Sequence, residues 1–326
     1  MKAILVDEQS PERALRWAEV PDPLPGPGEV LVDIHATAVN RADLLQRAGS
    51  YPPPPGAPPY LGLEMAGVVA GLGAGVKGWQ PGERICALLT GGGYAERIAV
   101  PEQLLVRLPE GWGFAEAAAF PEVFYTAFVN LFMEAQLQPG ERVLIHGGAS
   151  GVGTAAIQLA RAEGCRVAIT AGTPAKRARC LELGAELAID YREGDFAEVV
   201  LERLGGVDVV LDISGGAYLE RNLKILALKG RLVLIALLGG PSASIDLGLV
   251  LRKRLRLIGS LLRSRSLEEK TAIVQGFAAR FWPLMLAGRI APVIETVLPV
   301  QQAAEAHRLL AENRNIGKVV LTVREV

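Results

Sequence analysis

The segment Val143-Leu144-Ile145-His146-Gly147-Gly148-Ala149-Ser150-Gly151-Val152-Gly153 decides the fold. An apolar strand, Arg142 to His146, passes through a glycine loop into a helix of small residues, Gly153 to Glu163, which Gly164 ends. The next strand, Arg166 to Thr170, follows at once. In a parallel strand–helix–strand unit the helix N-terminus sits at the carboxyl end of the sheet. Unpaired N–H groups and the helix dipole favour phosphate there. Glycines keep Cβ atoms away from the pyrophosphate and let the helix approach the strand. The spacing, Gly148-x-x-Gly151-x-Gly153, departs from the commoner G-x-G-x-x-G, and a structural turn can be equally rich in glycine. The strand–loop–helix–strand context favours a dinucleotide site, with Gly148, Ser150, Gly151, Val152 and Gly153 around the phosphates.

Working outward, strands and helices alternate from about residue 123. Pro174 opens a helix that Gly184 stops. Val207 to Asp212, Arg231 to Leu237 and Leu255 to Leu261 read as further strands, with a helix from Tyr218 to Leu228 between the first two. Continuous apolar strands between amphipathic helices predict a parallel sheet covered on both faces, an α/β doubly wound (Rossmann) fold. Before residue 120 the chain reads differently. Met1 to Val6, Leu15 to Val20, Glu29 to Val39, Glu64 to Leu72, Arg84 to Leu88 and Tyr94 to Val100 are short strands bounded by Gly and Pro. Tyr51 to Tyr60 holds six prolines and must be a stiff loop. After a helix from Leu267 to Ala287, short strands return at Ile294 to Val297 and Lys318 to Val323, around a helix from Val300 to Ala311. The expected organisation is a small-strand β domain from 1–122, a nucleotide domain from 123–262, and a return segment, 263–326, completing the first.

Composition narrows the function classes. At 326 residues, 50% hydrophobic and 21% charged, the chain suits two globular domains. A net charge of -1 argues against nucleic acid or an anionic membrane as partner. The arginine clusters at Arg252 to Arg256 and Arg263 to Arg265 read as solvated edges or subunit contacts. Apolar runs such as Leu232 to Leu238 fall far short of the roughly 20 residues that span a bilayer, and the N-terminus turns acidic at Asp7. A soluble cytoplasmic protein is expected. Cys86, Cys165 and Cys180 follow no paired spacing, and His35, His146 and His307 form no metal-ligand pattern. No metal is expected.

The second strand of the nucleotide unit speaks to cofactor choice. Sites for NAD place an Asp or Glu about 20 residues on, to accept from the ribose 2′-hydroxyl. Here the strand ends Ile169-Thr170-Ala171-Gly172-Thr173 with no acid, and Lys176 follows. On spacing alone Lys176 fits an exposed helix lysine better than a phosphate ligand. The missing acid decides for a 2′-phosphate, hence NADPH over NADH.

The glycine loop, Val39-Asn40-Arg41-Ala42-Asp43-Leu44 and Gly62-Leu63-Glu64-Met65-Ala66-Gly67 together resemble the zinc-free quinone oxidoreductases. These belong to the medium-chain dehydrogenase/reductase superfamily, alongside zeta-crystallin. The resemblance covers essentially the whole chain. It extends to the p53-inducible quinone oxidoreductase type through Asn40 to Arg47, Tyr51-Pro52-Pro53-Pro54, Leu261 to Arg265 and Asn313 to Lys318. It implies a GroES-like domain made from both chain ends, a Rossmann domain between them, and the cofactor in the cleft. Zinc-dependent relatives carry a ligand Cys and a Gly-His-Glu motif where this chain has Asn40 and Gly62-Leu63-Glu64, and their four-cysteine structural zinc lobe cannot be built from three scattered cysteines, so both zinc sites are expected to be missing.

By the same resemblance Asn40 and Tyr51 should lie beside the nicotinamide, and Thr126 near the ribose and phosphates. Gly172, Lys176 and Tyr191 should surround the 2′-phosphoribose, and Ser214, Leu238, Ser260, Leu262 and Asn315 should line the rest of the groove. Each position also has a plain structural reading. Asn40 can cap a strand end, Tyr51 can be a half-buried aromatic, Tyr191 can pack in a core, and Ser214 can serve a turn before Gly215-Gly216.

Without zinc there is no Lewis acid to polarise a carbonyl, so an electron-poor acceptor suits the site better than an alcohol. The expectation is hydride transfer from NADPH to a quinone, with Asn40 and Tyr51 as the catalytic candidates for orientation and donation. Enone or enoyl reduction uses the same hydride geometry and stands as an alternative, as does a non-catalytic NADPH-binding or structural role. The strand Leu255 to Leu261 should be a sheet edge in need of cover, and in the superfamily this chain resembles such edges pair across a two-fold axis, which implies a homodimer.

Overall fold

In the computed structural model, which describes residues 1–324, the chain divides into two units, Phe124–Leu262 and Met1–Val123 with Arg263–Val326. The expected combination of a doubly wound parallel sheet and a separate strand unit is present.

The first unit holds a six-stranded sheet in the order Leu187–Ile189, Arg166–Thr170, Arg142–His146, Val207–Asp212, Leu226–Leu234, Arg256–Gly259. All its pairings are parallel. The order reverses between Arg142–His146 and Val207–Asp212, and ligands of such sheets bind at that switch point beyond the strands' carboxyl ends. Helix starts follow local chemistry. Ser150 Oγ accepts from Gly153 N, Thr173 Oγ1 from Lys176 N, and Asp195 from Ala197 N. Leu144, Phe196, Val200, Val210, Leu223 and Leu232 build its core. His146 lies in that core as well. Its ring nitrogens meet Thr170 Oγ1 at 3.1 Å and Asn222 Oδ1 at 2.8 Å, and burial holds its pKa down to about 4, so it is a neutral packing residue.

The second unit is a seven-stranded sheet, Ile294–Pro299, Lys318–Thr322, Glu29–Val39, Glu64–Leu72, Arg84–Leu88 and Leu105–Arg107, with Arg97–Pro101 paired to Glu29–Val39. Val30, Val32, Ile34, Ala36 and Ala38 alternate into the core, as a half-buried strand requires. Lys318–Thr322 pairs antiparallel with the end of Glu29–Val39, so late and early chain share one sheet. Ile4, Leu61, Tyr94, Val300, Leu310 and Leu321 pack together behind it.

Several elements differ from the sequence expectation. The strand expected over Tyr94 to Val100 runs only from Arg97 to Pro101, because Tyr94 turns inward and is fully buried. The helix expected from Tyr218 to Leu228 is a 3-10 turn followed by Leu219–Ile225. The strand after it starts at Leu226 rather than Arg231, bent at Lys229, whose φ is 62°. The edge strand shortens to Arg256–Gly259. Helices at Arg41–Arg47, Pro121–Phe128, Phe196–Leu204 and Leu247–Lys253 were not anticipated. Among the described residues no helix is long and apolar enough to cross a membrane.

Gly67 shows how closely the strands meet. A Cβ there would collide with the carbonyl oxygen of Asp33, which is backbone and cannot yield, whereas at Gly71 in the same strand it would find Leu31 Cβ at 3.7 Å. Gly67→Ala should cost about 1–3 kcal/mol in urea unfolding, and Gly71→Ala much less.

Candidate functional site

In the Rossmann unit the glycine loop leaves the carboxyl end of Arg142–His146. Gly147 adopts φ 67°, and Gly148 N donates to Thr170 O at 3.0 Å, which fastens the loop to the neighbouring strand. A Cβ on Gly148 would lie 2.6 Å from Ile169 Cβ, and one on Gly153 would strike the carbonyl oxygens of Gly147 and Gly148. The helix Gly151–Ala162 therefore begins tightly against the loop. Ser150 takes the amide of Gly153 at 3.0 Å. The amides of Gly151 and Val152 head this helix, where no intrahelical carbonyl can serve them.

Beyond the second strand, Gly172 is buried directly beneath Tyr191, since a Cβ on it would come within 2.8 Å of the tyrosine oxygen. Lys176 lies in the first turn of Pro174–Glu182, capped by Thr173. Gly172 and Tyr191 thus meet at the ends of neighbouring strands, and Lys176 follows Gly172 by four residues on the adjoining helix. One feature there was missed. Asp190 supplies a carboxylate from the next strand's end, but it is held by Arg177 and by Arg192, whose Nε lies at 3.2 Å. The two guanidiniums hold its pKa below the ordinary 3.8, together with the amide of Arg192, which is the largest cause.

Further along the same edge, buried Asp212 accepts from Ser214 N at 2.7 Å and Gly215 N at 3.1 Å, shaping the turn that holds Ser214. Leu238 N donates to Ile213 O at 3.0 Å, with its side chain exposed, and Ser260 N donates to Leu234 O at 3.0 Å. Leu262 is buried. Thr126 lies on Pro121–Phe128, where its carbonyl accepts from Asn130 Nδ2 at 2.7 Å.

In the strand unit, Asn40 ends Glu29–Val39 and caps the helix Arg41–Arg47. Its Nδ2 donates to Glu64 Oε1 at 2.8 Å, and its Oδ1 accepts from Lys318 Nζ at 2.5 Å. Lys318 also reaches Glu64 Oε1 at 2.7 Å and Val39 O at 2.9 Å. The other oxygen of Glu64 accepts from Glu122 N at 2.8 Å. Glu64 and Lys318 are 0% and 3% exposed, so this is a buried ion pair with its lone pairs filled. Asp43, equally buried, accepts from Asn40 N at 2.7 Å, Gly62 N at 3.0 Å and Tyr94 Oη at 3.3 Å. Burial pushes its pKa up to about 6. Glu122 is pushed further, to about 8, by burial and then by the Glu64 carboxylate. Asn315 stands apart from this cluster, turning the chain by donating to Gly317 O at 2.6 Å just before Lys318.

Tyr51, in the proline loop, is half-buried, which raises its phenol pKa, with Glu122 adding to the effect. Arg263 lies 5.4 Å from its ring centre. The expectation that Arg263 is a solvated or subunit-contact arginine is corrected here. It is 4% exposed and donates to Thr90 O at 2.7 Å and Gln46 Oε1 at 2.8 Å, so it braces the Tyr51 loop from within.

Two family models match the chain, the alcohol dehydrogenase GroES-like domain over residues 26–110 and the zinc-binding dehydrogenase over residues 151–276. The quinone oxidoreductase of Rattus norvegicus is 32% identical, across 98% of this chain and 97% of its own. Among solved structures, the quinone oxidoreductase from Thermus thermophilus, determined also as its complex with NADPH, matches with a TM-score of 0.84 and 37% identity over 99% of this chain and 100% of that one. The apo JamJ enoyl reductase matches at 0.86 with 27% identity over 98% of each. The chain belongs to the medium-chain dehydrogenase/reductase superfamily, within its quinone oxidoreductase family. It is an oxidoreductase.

The cluster makes two outcomes testable. Lys318→Met strands the Glu64 carboxylate and should cost about 3–5 kcal/mol in urea unfolding, and adding Glu64→Gln should recover most of that loss. The second concerns pH. Asp43 and Glu122 bind protons more tightly folded than at their ordinary values of 3.8 and 4.5, so the folded chain holds excess protons up to about pH 8. Stability should fall as pH rises through that window, and Glu122→Gln should flatten the decline between about 6 and about 8.

Proposed function

We propose that this oxidoreductase reduces quinones or similar conjugated acceptors with NADPH, in the cytoplasm and without zinc. The observation that carries the reading is Asn40, locked by buried Glu64 and Lys318 where zinc-dependent relatives would use a cysteine. Leu63 stands, buried, where they would use a histidine. The donor set suits no soft divalent ion, and Glu64 is already neutralised by an ammonium.

The Rossmann unit fits the cofactor on its own chemistry. Gly148 and Gly153 leave no room for side chains, and the amides of Gly151 and Val152 suit a pyrophosphate. Gly172, Lys176 and Tyr191 form the candidate 2′-phosphoribose site, where the neighbouring carboxylate of Asp190 is paired with two arginines. Thr126, Ser214, Leu238, Ser260, Leu262 and Asn315 complete the proposed set. NADPH, when bound, supplies the hydride. The chain's own groups must orient the acceptor, keep water out and donate to the developing oxyanion.

Asn40 has both ends of its amide engaged, so it orients and does not act as a free donor. Tyr51 is the donor, its hydroxyl kept protonated by burial and by Glu122. The likeness to an enoyl reductase favours one second reading, enone reduction. Turnover ratios for enones against quinones separate the two, and tight NADPH binding with no acceptor reduced would mean a non-catalytic role. The edge strand Arg256–Gly259, with Leu257 exposed, supports a homodimer, which light scattering tests.

Purified protein should oxidise NADPH with simple quinones above a buffer control, and absence of turnover would defeat the proposal. Tyr51→Phe should lower kcat about 10²-fold. Lys176→Ala should weaken NADPH binding by about 1–3 kcal/mol and leave NADH nearly unchanged, as isothermal titration would show. An equal loss for both cofactors would contradict the 2′-phosphate assignment.

A further inference from the structure

Arg263 sits in the interior of the strand unit with its charge unmatched. Among the described residues it forms no ion pair. Its Nε donates to Thr90 O at 2.7 Å, its Nη2 to Gln46 Oε1 at 2.8 Å, and its Nη1 reaches Tyr51 O at 3.5 Å. All three acceptors are neutral oxygens. A guanidinium keeps its proton in proteins, and buried charges are as a rule paired because desolvation is costly. These hydrogen bonds brace a loop, but a neutral donor would brace it as well. The positive charge itself calls for another reason.

The guanidinium carbon lies 5.4 Å from the centre of the Tyr51 ring. A cation within about 6 Å of an aromatic centre acts on the ring electrostatically. Burial is the main cause that raises the Tyr51 phenol pKa, Glu122 adds to it, and Arg263 works the other way. The relation is mutual. Burial disfavours the guanidinium's charge, and Tyr51 leads the groups that favour it, ahead of Asp43 and Glu122. Lys270, itself buried, donates to Arg263 O at 2.7 Å and ties the arginine's backbone in place.

We propose that Arg263 is a positioning residue for proton transfer, the fixed counter-charge for a phenolate at Tyr51. The inference rests on the reading of Tyr51 as proton donor to the acceptor. When a reduced acceptor takes a proton from Tyr51, the phenol O–H bond breaks and an O–H bond forms on the acceptor oxygen. The bonding pair stays on Tyr51 Oη until water returns a proton. In between, a negative charge lies in a half-buried loop under the opposing influence of Glu122. Arg263 meets that charge without reorganising, because Thr90 and Gln46 already hold its fork.

The test places difluorotyrosine, whose phenol ionises near neutral pH, at position 51 and follows its titration by fluorine NMR in the unliganded protein. Removing the charge with Arg263→Gln should make that phenol a weaker acid by about tenfold or more. The sign separates a counter-charge from a mere brace, since a loop set free would expose the phenol and make it a stronger acid. Arg263→Lys is the milder change. It keeps a charge and should leave the phenol near its original acidity, so a shift of about tenfold there would overturn the proposal even where Arg263→Gln does not fold. With the natural tyrosine, Arg263→Gln should lower kcat for quinones about tenfold while KM for NADPH holds. That loss should vanish in Tyr51→Phe, which has no phenol to ionise. Unchanged or stronger phenol acidity in Arg263→Gln, or the same kcat loss in the Tyr51→Phe background, would overturn the proposal. The titration needs no acceptor, so a protein that reduces no quinone would sink the quinone reading and leave Arg263 to be decided by the phenol.

Discussion

The strand unit turns on one buried ammonium. Lys318 has lost its water, and three oxygens replace it, from Val39, Asn40 and Glu64. Coulomb attraction between such a pair is strong in a low-dielectric interior, yet desolvation takes back much of it, so the arrangement is better judged by what it specifies than by net stability. It specifies a great deal. The pair fixes the strand Lys318–Thr322 against the end of Glu29–Val39, and it sets the rotamer of Asn40. It also leaves Glu64 a free oxygen to receive the Glu122 amide, which begins the helix Pro121–Phe128.

The Rossmann unit answers to a different constraint, which is steric. Gly148 and Gly153 are required because backbone and Ile169 occupy the space a side chain would need, and Gly172 because Tyr191 lies over it. Charge enters later, after the strand Leu187–Ile189, where two arginines pair with the Asp190 carboxylate. The two units thus divide the chemistry, one built around close backbone approach and the other around buried polar satisfaction.

This difference explains what could be read from the chain alone. Glycine loops, caps and apolar strands are local, so Ser150, Pro174 and the run Val143 to Ile145 announce themselves within a few residues. Strand Glu64–Leu72 was legible to its ends for the same reason. Lys318 was not, because its partners Val39 and Asn40 lie 279 and 278 residues away, and nothing near Lys318 marks it as buried. Arg263 misled in the same way, looking like a surface arginine until Gln46 and Thr90 were brought against it. The helix Phe196–Leu204 is a separate kind of miss. Asp195 and Gly205, at φ 66°, are ordinary start and stop signals that the sequence displayed.

Building one unit from both ends of the chain also sets an order of events during synthesis. Glu64 and Asn40 leave the ribosome long before Lys318, which follows Val39 by 279 residues. At about 5–20 residues per second, roughly fifteen seconds to a minute pass before the ammonium exists. Over that interval Glu64 has no cation to neutralise it and the strand Glu29–Val39 has an open edge, and the whole of Phe124–Leu262 is made before Lys318 is. The nucleotide-binding unit can therefore mature first as an insert within an unfinished host, and the strand unit closes only when its final strand arrives.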